Sequence, residues 1–150
     1  MFGITRGPID AEAVREAVAA AGAGAVVVFH GTVRDRTGDR RVRWLEYEAY
    51  PEMATAMLAD LGGAVAKAHG LAGVSCVHRV GRLEIGDTAV VLAVAAPHRR
   101  AALEAVEDFV ARMKRDVPIW KKEHFEDGAV WVGSPDDPQA ERAAREEGGA

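Results

Sequence analysis

The chain has 150 residues, 49% of them hydrophobic, and a formal net charge of −4. That is room for one domain with a sizeable core and too little for two ordinary domains. The acidic balance excludes a general nucleic-acid binder, which needs a basic face. The single cysteine, Cys76, excludes an internal disulfide and any Cys/His zinc set, and suits a reducing, cytoplasmic setting. "MFGITRGPIDAEAV" lacks a basic-then-apolar leader, and no apolar run reaches membrane-spanning length.

Residues 2–6 read as a short strand. "IDAEAVREAVAAAGAG" predicts a helix with Asp10 as N-cap, an apolar stripe of Ala11, Val14, Val18 and Ala21, and Gly22 and Gly24 at its end. "AVVVFHGTV" (25–33) is apolar and β-branched, so a central strand buried on both faces is expected. "RDRTGDRR" (34–41) reads as a mobile loop. "VRWLEYEAY" (42–50) alternates, with Val42, Trp44, Glu46 and Glu48 on one side and Arg43, Leu45, Tyr47 and Ala49 on the other.

Pro51 opens a second helix that tolerates Gly62 and Gly63. "GVSCVHRVGRL" (73–83) is a strand, "EIGD" a turn, and "TAVVLAVAAP" (88–97) a second very apolar strand. The clearest helix is "HRRAALEAVEDFVARMKRDV", with Leu103, Val106, Val110 and Met113 at spacings of three and four. After Pro118, "IWKKEHFE" and "AVWVG" flank Asp127-Gly128 as a hairpin. The expectation is a single α+β domain over 1–133, with about three helices and a mostly antiparallel or mixed sheet. Residues 134–150 carry five acids and two arginines, a net −3 that leaves −1 for the rest, and read as an acidic, flexible tail.

Within this near-neutral domain, cations collect at three element ends: Arg34, the His98-Arg99-Arg100 run, and "KRDVPIWKKE" (114–123). An anion at the start of the long helix would meet free amides beside His98 and Arg99; the ordinary explanation is solvated surface charge. Lys114 in a last helical turn complements the helix dipole, its ordinary reason to be there. From Ile119 the period of two puts Lys121 with Ile119 and Glu123, and Lys122 with Trp120 and His124. Lys122 then reads as an edge-strand charge, while Pro118 can turn Lys121 toward the cleft of Lys114. Cys76 reads as a core residue of a strand; His78 and Arg79 in "VHRVG" are candidates to line a site, with a histidine satisfied by its strand neighbours as the ordinary explanation. No Walker, GxGxxG, HExxH or GxSxG sequence is present. The residues alone thus define a small domain with an anion-binding cleft.

"FHGTVRDRTGD", "LEYEAYPEMA", "VHRVGRLEIGD", "APHRRAALEA" and "MKRDVPIWKKE" occur in that order, between about Gly24 and Val132. Together they resemble the catalytic (large) subunits of molybdopterin synthase. The resemblance implies an α/β hammerhead-like fold and a sulfurtransferase of molybdenum cofactor biosynthesis. Such an enzyme converts cyclic pyranopterin monophosphate (precursor Z) to molybdopterin, inserting dithiolene sulfurs from a small ubiquitin-like subunit with a Gly-Gly thiocarboxylate. It also implies a homodimer of large subunits within a heterotetramer, and no metal or other cofactor. Lys114 and Lys121 match the catalytic lysines. Thr32, Val33, Arg34, His98, Arg99, Lys122 and Glu123 match or flank substrate-binding positions, some of them lent by the neighbouring large subunit. Thr32 stands where some relatives have lysine, and Val110 where some have a bulkier side chain. "EEGGA" is not the donor's Gly-Gly end, because Ala150 follows and no ubiquitin-like sequence precedes it. The rival readings are a noncatalytic phosphate- or nucleotide-binding module and a protein-interaction subunit. Neither accounts for five ordered motifs.

Overall fold

The structure, a computed structural model, describes residues 1–132; the tail expected over 134–150 lies outside them. The elements are β1 (Phe2–Thr5), α1 (Ala11–Glu16), β2 (Ala25–Thr32), β3 (Arg36–Thr37), β4 (Arg40–Ala49) and α2 (Pro51–His69). They continue with β5 (Gly73–Arg79), β6 (Gly81–Glu84), β7 (Thr88–Ala96), α3 (Arg99–Asp116), β8 (Ile119–Phe125) and β9 (Gly128–Val132). The single α+β domain has two sheets. One runs β1-β5-β7-β2, with β1 parallel to β5 and the remaining pairs antiparallel. The other runs β3-β4-β8-β9, and β6 also pairs with β4.

β7 is the strand buried on both faces. Val90, Leu92, Val94 and Ala96 pack under α2 and α3, while Val91, Ala93 and Ala95 face Val14 and Val18 on and just after α1. This corrects the expectation for 25–33: β2 is apolar but lies at the sheet edge, with Val26 43% exposed. Apolar runs report burial and say nothing of order within a sheet. The helical face of α3 also differs. Ala102, Ala105, Phe109 and Met113 are buried, Val106 and Val110 flank them, and Leu103 is 56% exposed.

Several boundaries shift for local reasons. α1 ends at Glu16, and the next amides, of Val18 and Ala19, bond three residues back in tighter turns. The segment 73–83 divides at Gly81 (φ 91°), which passes the chain from the first sheet to the second. Residues 34–41, expected as a loop, contain β3, which forms a hairpin with β4. A register shift between Val42 and Trp44 breaks the alternation of β4, so Val42 and Leu45 are both buried in the small second core with Leu83 and Phe125. The last hairpin turns at Glu126 and Asp127, one residue earlier than expected, since Phe125 pairs with Gly128.

The two adjacent glycines of α2 are not equivalent. A Cβ on Gly62 would lie 2.2 Å from Phe2 Cζ, whereas one on Gly63 meets nothing within 4 Å. Gly62 is therefore the flat seat on which the first strand docks. Gly63→Ala should stabilise the domain by about 0.8–1 kcal/mol through helix propensity. Gly62→Ala should lose that gain in displacing the Phe2 ring. Thermal melts of the two variants check this; equal melting temperatures would count against the assignment.

Candidate functional site

α3 carries its apolar stripe through Met113, and its last helical turn leaves Lys114 exposed at the rim of the first sheet. Val117 takes an extended conformation, Pro118 cannot continue the helix, and β8 then runs back beneath it. The turn leads from Lys114 into the strand that aims Lys121 inward. A shift in the β2–β7 register at Gly31/Thr32 redirects the end of β2, after which Arg34 projects from an exposed position. These segments enclose a cleft of about 920 Å³ along the seam between the two sheets, lined among others by Thr32, Arg34, Lys114, Lys121 and Glu123.

Glu123 is 3% exposed, and its Oε1 accepts a 2.9 Å hydrogen bond from the Thr37 hydroxyl. The same oxygen lies 3.6 Å from Lys121 Nζ. A carboxylate this deep is stable as an anion only when paired in this way. Burial lowers the pKa of Lys121, the Glu123 carboxylate opposes that shift, and Lys114 and Arg34 add to the lowering. The cleft therefore holds Arg34, Lys114 and Lys121 against the buried Glu123, while Arg115 and Asp116, also in its lining, pair with each other, so positive charge is in excess in a partly desolvated space.

The other expected site residues lie elsewhere in this chain. Val33 is buried in the second core, with its N–H bonded to Asp87 and its carbonyl to Gly86. Lys122 points to the opposite face of β8 and rests over the Trp131 ring at 5.4 Å. His98 and Arg99 are exposed at the opposite end of α3, about 22 Å along the axis from Lys114 at 1.5 Å per residue. Thr37 and Tyr47 line the cleft without having been singled out as ligand groups by the sequence, and His78, a candidate lining residue there, lines it too. Tyr47 had a legible signal: a phenol on the inward row with Leu45 needs somewhere for its polar tip. Cys76 is a core residue, its thiol pushed up to about 12 by burial.

The fold and cleft define a single-domain α+β protein that gathers lysine and arginine along one cleft. No helix among the described residues is long and apolar enough to cross a membrane. Residues 4–116 match the family described as MoaE protein. The molybdopterin synthase catalytic subunit of Bacillus subtilis (strain 168) is 48% identical over 132 residues, covering 88% of this chain and 84% of the relative. Molybdopterin synthase from Staphylococcus aureus superposes with a TM-score of 0.83 at 46% identity, over 88% of this chain and 96% of that one. The molybdopterin biosynthesis MoaE protein of Burkholderia ambifaria MC40-6 gives a TM-score of 0.71 at 32% identity, over 95% of each chain.

The chain belongs to the MoaE family, the catalytic subunits of molybdopterin synthase, the enzyme that converts precursor Z to molybdopterin.

Proposed function

We propose that this chain carries out that conversion in the seam cleft, binding precursor Z beside the thiocarboxylate of a small sulfur-carrier subunit. The observation that carries the reading is the convergence of Arg34, Lys114 and Lys121, from three segments remote in sequence, on one cleft. Both reactants are anions. At about 4 Å and an effective dielectric near 20 they repel by roughly 4 kcal/mol. Cations already fixed in place offset that repulsion and stabilise charge that develops as sulfur adds to the pterin side chain.

In this scheme Lys114 and Lys121 are the catalytic residues. Arg34 holds the phosphate, and Thr32 stands beside it. Glu123 acts through its side chain by holding Lys121, and Val33 and Lys122 support the walls of the site from outside it. Such an enzyme works in the cytoplasm, a reducing setting that suits the free thiol of Cys76.

His98 and Arg99 enter the scheme from a second large subunit. β2 is an eight-residue apolar edge strand with no proline, lysine or arginine to discourage pairing. An antiparallel β2–β2 pairing about a two-fold axis would lay the start of one β2 against the end of the other. Ala25 pairs with Ala96, just before His98, and Arg34 follows the end of β2. The pairing would carry one subunit's His98 and Arg99 toward the other's Arg34, completing the phosphate site.

The test is reconstitution with thiocarboxylated small subunit and precursor Z, with dithiolene product as the readout. Product is expected only when both are supplied; no product from a folded, complete mixture refutes the assignment. A mixed dimer of Lys114→Ala and Arg99→Ala subunits should recover about half of the wild-type rate, because one of its two clefts keeps both residues. Recovery no better than either variant alone would place Arg99 in its own subunit's site.

A further inference from the structure

Below its cationic rim the cleft has an uncharged floor made by Tyr47 and His78. Tyr47 comes from β4 of the second sheet and His78 from β5 of the first. Their rings meet edge to face, with centroids 4.9 Å apart and planes at 69°. His78 is only 5% exposed, yet both residues line the cleft. His78 Nδ1 lies 2.8 Å from the carbonyl oxygen of Arg79. A carbonyl only accepts, so Nδ1 carries the hydrogen and Nε2 keeps a lone pair that no described residue engages. Burial pushes the imidazole down to about 4, which keeps it neutral at pH 7.

The Tyr47 hydroxyl makes no hydrogen bond to any described residue. Burial, with the Glu123 carboxylate nearby, pushes its pKa up to about 12, so its proton stays on. The floor thus offers one donor and one acceptor, both uncharged, both fixed by packing, and neither satisfied from within the protein. Charge suited to a phosphate sits at the mouth, while the depth suits a flat polar ring that has its own donors and acceptors.

We propose that Tyr47 and His78 are the recognition floor for the substrate's heterocycle, Tyr47 donating to a ring acceptor and His78 Nε2 accepting from a ring or exocyclic N–H. This rests on the proposed substrate and makes the pair specificity-determining binding residues. A pterin carries a carbonyl beside N–H groups along one edge, the complement of such a pair. Phosphate esters without that edge would leave both groups buried and unpaired, which is how a polar site rejects them.

The experiment follows steady-state kinetics of the reconstituted complex with precursor Z, and in parallel the binding of inorganic phosphate. Tyr47→Phe keeps the ring and its packing; its KM for precursor Z should rise about tenfold, the loss of one neutral hydrogen bond, with kcat within about twofold. Phosphate affinity should not change. His78→Leu should raise KM similarly, and His78→Gln, whose amide oxygen can accept in place of Nε2, should recover most of the loss. Should the His78 variants not fold, Tyr47→Phe decides alone. An unchanged KM in Tyr47→Phe overturns the floor while leaving the function in place. A parallel loss of phosphate affinity overturns it too, since that marks a structural role. A wild-type complex that does not turn over precursor Z fails the functional reading itself and takes the floor with it.

Discussion

Lys114→Ala should lower kcat for dithiolene formation by on the order of 10²–10³-fold while leaving the melting temperature within about 2 °C of wild type. The two halves of this expectation have separate physical causes. In the fold, Lys114 is an exposed side chain of the last turn of α3, where its interaction with the helix dipole is worth about 0.3–1 kcal/mol. Nothing in the core depends on it, since the neighbouring Met113 makes the buried contact. In the proposed reaction, the same ammonium stands where the two anionic reactants would approach. Their repulsion of roughly 4 kcal/mol corresponds to about a thousandfold in rate if nothing else offsets it. Lys121 and Arg34 remain in the variant, so the loss stops short of complete. Single-turnover kinetics with thiocarboxylated partner measures it, with circular dichroism as the control on folding. Turnover within threefold of wild type would remove Lys114 from the chemistry.

Glu123→Ala should be the most damaging change to the cleft as a structure. Glu123 is the one carboxylate against which Lys121 is packed, and it also ties down Thr37 of the β3–β4 hairpin. Removing it leaves an ammonium that is largely desolvated and faces two other cations. The cost should be about 2–3 kcal/mol, near the lower limit for breaking a buried pair because the Lys121 side chain is 20% exposed.

The pH dependence follows from the direction of the Lys121 shift. Its pKa in the folded protein lies below the ordinary 10.5, and losing the Glu123 carboxylate removes the influence that opposes this lowering. The fold thus disfavours the charged lysine more strongly in the variant. That penalty is complete below the folded pKa and fades as pH rises toward 10.5, where the unfolded chain also gives up its proton. Denaturant melts should show a wider gap between variant and wild type at pH 7 than at pH 10. The alkaline limb of kcat/KM should move to lower pH. Glu123→Gln keeps an acceptor for Thr37 and should regain part of the stability with the same shift of the limb. A gap that does not narrow with pH would show that the lost stability comes from packing and not from charge.

Much of this could be read from the residues in order. The period of two in "IWKKEHF" separates Lys121 from Lys122, and the structure places the first in the cleft and the second over Trp131. The spacing of three and four located α3, although it chose Leu103 in place of Ala102 and Phe109 for the core. A bulky exposed leucine and a small buried alanine mislead any reading that ranks positions by hydrophobicity. The order of strands in the first sheet was not legible, because β2 and β7 are similarly apolar and only pairing reveals which lies at the edge. Nor were the register shifts in β2 and β4, which depend on contacts across strands. The cations could be located by their motifs. The neutral groups were harder: Tyr47 and His78 carried only weak signals and Thr37 none, since their places in the cleft depend on partners 31 to 86 positions away.

The hand-over of the chain at Gly81 has a mechanical consequence. His78 is set by pairing with Val90 before that joint, and Leu83 by pairing with Leu45 after it. Each wall of the cleft therefore keeps its own alignment, and the joint absorbs any mismatch between them. An inserted residue beside Gly81 would slide one wall past the other while both stayed internally intact. Small adjustments of groove width are thus open to this architecture without rebuilding either core.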